Sequence, residues 1–272
     1  MKIAAVQMVS TPRIADNLAA ARCLVAQAAK EGAQLVALPE YFCVMGRSDR
    51  DKLEVAEQPG AGPIQQALAD LAREHGLWLI GGTLPLKSVD PDRVLNANCI
   101  YAPDGTLAAR YDKIHLFKYD NGRERYDEGN AIRAGTVPTT FEAGALKVGL
   151  SVCYDLRFPE LYRELMHPPC DLISVPAAFT YTTGLAHWEL LLRARAVENQ
   201  CYVIAAAQGG THENGRRTFG HSMVIDPWGK VLNVLPEGEG VVLAELDPAR
   251  TASVRLQLPA LEHRRAVFAP AG

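Results

Sequence analysis

Apolar and polar positions along the chain alternate between two periods, and the switches between them mark the elements. Residues 3–8 are an almost unbroken apolar run, the pattern of a strand buried on both faces. After Thr11-Pro12, the positions Leu18, Ala21, Val25 and Ala28 recur at helical spacing. They predict a helix over 15–31 that Gly32 closes. Residues 35–38 make a short buried strand, ended by Pro39-Glu40. A second helix is predicted over 63–75 and stopped by Gly76, followed by a strand over 77–81. Residues 96–102 and 107–111, joined by the turn Pro103-Asp104-Gly105, form a hairpin.

The second half repeats that order. Strands are predicted over 146–152, 172–175 and 202–206, with helices over 158–166 and 186–198 between them. A hairpin over 222–226 and 231–235 turns at Pro227-Trp228-Gly229. Both halves therefore read strand, helix, strand, helix, strand, hairpin, although residue identity between them is faint. The repeat predicts an α/β fold with internal pseudo-duplication, two sheets packed face to face with helices outside. No Pro/Gly/Ser-rich linker divides the halves, so a single domain over 1–272 is expected. The ends of the parallel strands should meet in one crevice.

Composition mostly narrows the class of function. The 272 residues are 48% hydrophobic and 22% charged, with a net charge of -3. That balance gives no reason to expect a nucleic-acid partner, and no basic run suggests a membrane surface. No apolar stretch is long enough to span a bilayer, and the chain opens directly on a strand-like segment without a signal peptide. The six cysteines form no CxxC pair and match no zinc or disulfide framework, so no metal is expected. They read as buried thiols of a cytoplasmic protein, with Cys153 set apart.

Cys153 lies between the apolar strand 148–152 and the helical pattern opened by Phe158-Pro159-Glu160. A thiol at a strand-to-helix junction sits near helix N–H groups, which favour the thiolate. Upstream, Glu40 ends an apolar run, where burial would make it a usable general base. Lys113, in Tyr111-Asp112-Lys113-Ile114-His115-Leu116-Phe117, has apolar flanks that would turn its charge inward, toward a developing oxyanion. Taken singly, each has a plainer reading: a buried structural thiol, a loop carboxylate, a lysine reaching to water. Together they suit attack on an amide or nitrile carbon, with the Tyr154 N–H as second oxyanion donor.

Three separated blocks carry a family resemblance. They are Leu38-Pro39-Glu40, the 111–117 stretch, and Val152-Cys153-Tyr154-Asp155-Leu156-Arg157-Phe158-Pro159-Glu160. Over nearly its whole length the chain resembles the nitrilase superfamily of carbon–nitrogen hydrolases. The resemblance implies a four-layer α-β-β-α sandwich with Glu40 as base, Lys113 as oxyanion stabiliser and Cys153 as nucleophile. It also implies that Glu128 orients Lys113 and the substrate amide, that no cofactor is needed, and that the protein is a homodimer. The implied dimer packs through helices near 158–166 with contacts from the C-terminal segment.

Residues 186–202 and 220–229 resemble the Nit branch, and Ala205-Ala206-Ala207-Gln208 and Ser222-Met223-Val224-Ile225-Asp226 its deaminated glutathione amidases. The implied substrate is a small amide, deaminated glutathione, cleaved to α-ketoglutarate and cysteinylglycine as metabolite repair. An ω-amidase acting on α-ketoglutaramate, or an N-carbamoyl amino acid hydrolase, would use the same residues. A non-catalytic scaffold is the reading of a different class. The loops 43–50 and 119–133 are expected to shape the acyl pocket. Arg195 is expected to pair with Glu198 or an internal carboxylate, and His187 and Trp188 to line the pocket or pack at a helix start. His221 is expected to make a structural hydrogen bond, and His212, Arg216 and Arg217 to face water.

Overall fold

The computed structural model describes residues 1–48 and 50–265. In the first half, strand β1 (Lys2–Gln7) leads through helix α1 (Ile14–Lys30) to β2 (Leu35–Ala37). A short helix α2 (Asp51–Glu54) and α3 (Pro63–His75) follow, then β3 (Trp78–Ile80), β4 (Leu84–Lys87), β5 (Val94–Tyr101) and β6 (Leu107–Asp112). A small hairpin, β7 (Lys118–Asp120) and β8 (Arg125–Asp127), stands apart. The second half runs β9 (Thr140–Ala143), β10 (Leu146–Leu150), α4 (Pro159–Glu164), β11 (Leu172–Ser174), α5 (Tyr181–Asn199), β12 (Tyr202–Ala205), β13 (Ser222–Ile225) and β14 (Val231–Leu235). Strand β15 (Gly240–Glu245) and helix α6 (Pro248–Gln257) end it.

Two mixed sheets result, of seven and six strands, and they match except for β4, which adds to β5 in the first. β1, β2 and β3 are parallel neighbours, as are β10, β11 and β12. Each trio is flanked by one antiparallel strand at its start, β15 beside β1 and β9 beside β10. Each continues antiparallel into a hairpin, β5–β6 or β13–β14. Both hairpins turn on a glycine at positive φ, Gly105 and Gly229. Both also slip register near one end, at Ile100/Tyr101 and at Val224/Ile225.

The layers follow from side-chain alternation. Along β1, β2 and β3, residues Ile3, Ala5, Leu35, Ala37 and Ile80 join a core shared with the second sheet. The intervening Ala4, Val6, Val36 and Leu79 face a second core with Ala21 and Val25 of α1 and Leu68 of α3. A strand buried on both faces needs such a cover on each side. The order is helix, sheet, sheet, helix, the α/β sandwich expected from the sequence.

The boundaries of α1 and α3 agree with the apolar periodicity, including Gly76 as the left-handed cap at φ 59. Helix α5 begins at Tyr181, earlier than the expected 186, because the Thr180 hydroxyl accepts the Thr183 N–H and starts the helix. Gly184 belongs to this first turn, where Phe219 packs so closely that a Cβ would meet it at 2.3 Å. Helix α4 ends at Glu164, two residues short of the expected 166, and a 3-10 turn, Cys153–Arg157, precedes it. Among the described residues no helix is long and apolar enough to cross a membrane.

Candidate active site

Glu40 lies just past β2 and is wholly buried. Its Oε1 accepts from Asn96 Nδ2 at 2.9 Å and from Lys113 Nζ at 2.8 Å, while Oε2 accepts the Ala178 N–H at 2.9 Å. Lys113 follows β6, is wholly buried, and is fixed by its backbone. Its N–H donates to Asn96 O and its carbonyl accepts from Gly135. The ammonium donates to two carboxylates: to Glu40 Oε1, and to Glu128, whose two oxygens lie 3.0 and 2.8 Å from it. Glu128 opens a 3-10 turn and also accepts Tyr41 Oη–H at 2.7 Å and the Phe117 N–H at 2.8 Å. Glu40, Lys113 and Glu128 thus form one buried cluster of two carboxylates and an ammonium.

Burial by itself would strip the Lys113 proton, but the Glu128 and Glu40 carboxylates outweigh it and hold its pKa above the usual lysine value. Burial likewise opposes the charge on Glu128, and Lys113 reverses that, leaving Glu128 below the usual carboxylate range. The Lys113–Glu128 ion pair is therefore charged at neutral pH.

Cys153 leaves β10 in the left-handed region, at φ 50, a conformation uncommon for a residue with a side chain. Its N–H donates to Pro176 O at 2.9 Å. The next N–H, of Tyr154, is in the first turn of the 3-10 helix, where a backbone donor lacks an intrahelical acceptor. The sulfur is buried near Glu40 and Lys113. Desolvation, then the Glu40 carboxylate, raises its pKa well above 9.0, against the partial offset from Lys113. Desolvation first, and then the Glu40 carboxylate, thus oppose the thiolate that helix N–H groups would favour.

Asp155 ties the parts together. Its buried carboxylate accepts from Tyr111 Oη at 2.7 Å, the Val152 N–H at 2.8 Å and the His115 N–H at 3.0 Å, with His115 Nδ1 at 2.7 Å. It joins the turn carrying Cys153 to the stretch carrying Lys113. Sequence reasoning missed this role, as it missed Asn96 and Tyr41. Asp155 and Tyr111 lay inside the recognised blocks, and Tyr41 follows Glu40, so adjacency was the available signal. Tyr41 is also left-handed, at φ 56.

The other expectations divide. Arg195 pairs with Glu198 at 2.8 Å and donates Nε and Nη2 to Leu156 O. Trp188 packs in the core and donates to His221 O, and His187 contacts Arg157 near the surface. His221 hydrogen-bonds Phe219 O. His212 does not face water: it is buried, with Nδ1 2.8 Å from Ser10 O and Nε2 2.8 Å from Thr218 Oγ1. Burial lowers its pKa to about 4.

Arg216 does not simply face water either, because the loop after β12 folds back over the site. It lines the pocket at Cys153 together with Phe117, Glu128 and Tyr154. That pocket is narrow, about 10 Å³. Arg216 also lines an adjoining basin of about 480 Å³, walled by parts of the two loops expected to shape the pocket. Asp49, within the first of those loops, lies outside the described residues. Among the described residues no group of three or more His, Cys, Asp or Glu is placed to hold a metal ion.

The model of the carbon–nitrogen hydrolase family matches residues 2–256. A Yersinia enterocolitica protein named deaminated glutathione amidase is 39% identical, covering 97% of this chain and 93% of its own. The mouse protein named omega-amidase NIT2 is 38% identical, covering 97% and 95%. The crystal structure of Saccharomyces cerevisiae Nit3, of the nitrilase superfamily, has a TM-score of 0.89 at 33% identity, covering 98% and 97%. The chain belongs to the carbon–nitrogen hydrolase family, enzymes that hydrolyse amide C–N bonds.

Proposed function

We propose that the protein hydrolyses a small amide through Cys153, with deaminated glutathione as its substrate. The observation that carries the chemistry is the buried Glu40–Lys113–Glu128 cluster set against a thiol. Glu40 takes the proton from Cys153 as sulfur bonds to the amide carbon. The tetrahedral oxygen points at Lys113 Nζ and the Tyr154 N–H. Glu40 passes its proton to the leaving nitrogen, the C–N bond breaks, and a thioester remains. Glu40 then takes a proton from water, hydroxide adds to the thioester carbon, and the acid leaves as the thiol regains its proton. Glu128 keeps Lys113 charged and aimed.

The substrate reading draws on the relatives named deaminated glutathione amidase; the similar omega-amidase supports α-ketoglutaramate as the second reading. Residues 1–272 act as one folding unit, because the site draws on both halves. A homodimer through α4 is part of the same proposal. Exposed Leu185, Leu190 and Val197 on the neighbouring α5 offer apolar surface for a second copy. The expected C-terminal contacts fall partly on residues 266–272, outside those described. Six unpaired cysteines suit a reducing, cytoplasmic setting.

Product analysis with deaminated glutathione and with α-ketoglutaramate, beside Cys153→Ala, tests the proposal. Cys153-dependent cysteinylglycine release faster than ammonia release is expected. The reverse order would move the substrate to the ω-amide, and no turnover of either would overturn the amidase.

A further inference from the structure

An arginine inside a protein normally has its donors used, and Arg195 shows the pattern with Nε, Nη1 and Nη2 all engaged. Arg216 is different. Its Nη2 donates to Ala178 O at 2.6 Å and its guanidinium lies 5.2 Å from the Tyr126 ring. Its Nε is buried and, among the described residues, has no hydrogen-bond partner. No described carboxylate pairs with it either, so this guanidinium is both charged and unsaturated where it lines both the narrow pocket and the basin.

The basin has a strong charge bias. Among the described residues its wall carries Arg47, Lys52, Arg123, Arg125, Arg216 and Arg217 against the single carboxylate Glu124. Arg125 and Arg217 are only loosely engaged, by Asp120 at 3.8 Å and Glu237 at 3.4 Å. In a chain of net charge -3, such a concentration raises the local density of anions.

The pocket at Cys153, about 10 Å³, has room for neither half of the proposed substrate, so the basin is the larger space left for what extends beyond the reacting carbon. The acyl part stays on Cys153 while the amine must depart, so the wide basin suits the leaving group better than the narrow pocket does. A two-residue leaving group reaches about 7 Å from the scissile nitrogen. Ammonia would need none of this space.

We propose that Arg216, backed by the basic wall of the basin, binds a carboxylate on the amine side of the scissile bond. The substrate class is then acyl amides of amino acids or short peptides with a free C-terminal carboxylate. The proposal rests on the amidase reading above and adds to it a determinant of leaving-group specificity. Arg216 is a binding residue, acting through Coulomb attraction and charge-assisted hydrogen bonds.

The test compares kcat/KM for deaminated glutathione with that for the same molecule carrying a C-terminal carboxamide, in the wild type and in Arg216→Gln. In the wild type the acid is preferred by about 10-fold or more, mainly through KM, the worth of one charge-assisted contact. In Arg216→Gln the preference falls to within about 3-fold. Equal turnover of acid and amide by the wild type overturns the inference while leaving the amidase standing, and needs no variant to fold. A variant that loses activity on both substrates with the ratio unchanged shows a structural role through Ala178, and also overturns it. Absence of cysteinylglycine from the acid, and of cysteinylglycinamide from the carboxamide, removes the amidase reading, and this inference with it.

Discussion

Replacing Glu128 by Gln changes one charge in the cluster with almost no change of shape. The carboxylate takes four hydrogen bonds, two from Lys113 and one each from Tyr41 and Phe117. An amide has one oxygen to offer. The Phe117 N–H cannot turn, so the amide oxygen must stay on its side, and the NH2 group then meets Lys113 Nζ donor to donor. Charge-assisted hydrogen bonds contribute about 1.5–3 kcal/mol each, so a loss of about 2–4 kcal/mol in unfolding free energy is expected. The effect on Lys113 is larger, since a unit charge about 4 Å away at an effective dielectric of about 20 is worth about 4 kcal/mol.

The sign follows from what acts on that ammonium. Burial pulls its pKa down, and Glu128 is first among the groups that hold it up. With the charge gone, Lys113 loses its proton at lower pH, and activity needs it protonated. In the wild type the alkaline limb of kcat/KM lies above the ordinary lysine value of 10.5. In Glu128→Gln it moves down into the measurable range, on top of an activity loss of about 10-fold or more. The assay is a pH–rate profile beside urea unfolding of both proteins. Profiles that superimpose, with kcat/KM within about 3-fold, would refute the electrostatic role given to Glu128.

Two further outcomes follow from the pKa directions. The Cys153 thiol should contribute no thiolate ultraviolet absorbance below pH 9.0, read as wild type minus Cys153→Ala; a step at neutral pH would contradict the thiol assignment. His212 has a folded pKa of about 4 against 6.5, so the unfolded chain binds its proton first as pH falls. Stability should drop by about 1.4 kcal/mol per pH unit between 6.5 and 4, then level off. His212→Asn should flatten that slope in denaturant titrations, and an unchanged slope would count against it.

What the sequence made legible were features that local pattern alone dictates. Glu40 and Cys153 each follow a strongly apolar strand and Lys113 follows the second arm of a hairpin, so their place at strand ends could be read without knowing any neighbour. The paired hairpins were equally plain from Pro103-Asp104-Gly105 and Pro227-Trp228-Gly229. Strands β9 and β15 were not, because each is a partner at the start of its parallel trio and is defined by pairing more than by pattern. Helix α6 hid in the polar run Pro248-Ala249-Arg250-Thr251, and is capped by Asp247. Arg216 and His212 were misplaced for one shared reason. Their Gly-containing loop looks solvated, and only its hydrogen bonds to Ser10 and Ala178, far away in the chain, bring it over the site. The upward push on the Cys153 thiol was hidden for a like reason, since no local pattern reveals its burial or that a carboxylate 113 positions upstream lies beside the sulfur.

The division of the site between the halves has a consequence for ancestry. Glu40, Lys113 and Glu128 come from the first half, whereas Cys153 and the Ala178 N–H that holds Glu40 come from the second. Neither repeat alone contains a nucleophile and a proton carrier, so neither could have run this reaction as an independent ancestor. The matching sheets record a doubling of architecture, but the chemistry is not doubled. The residues proposed for it meet at the seam between the two halves.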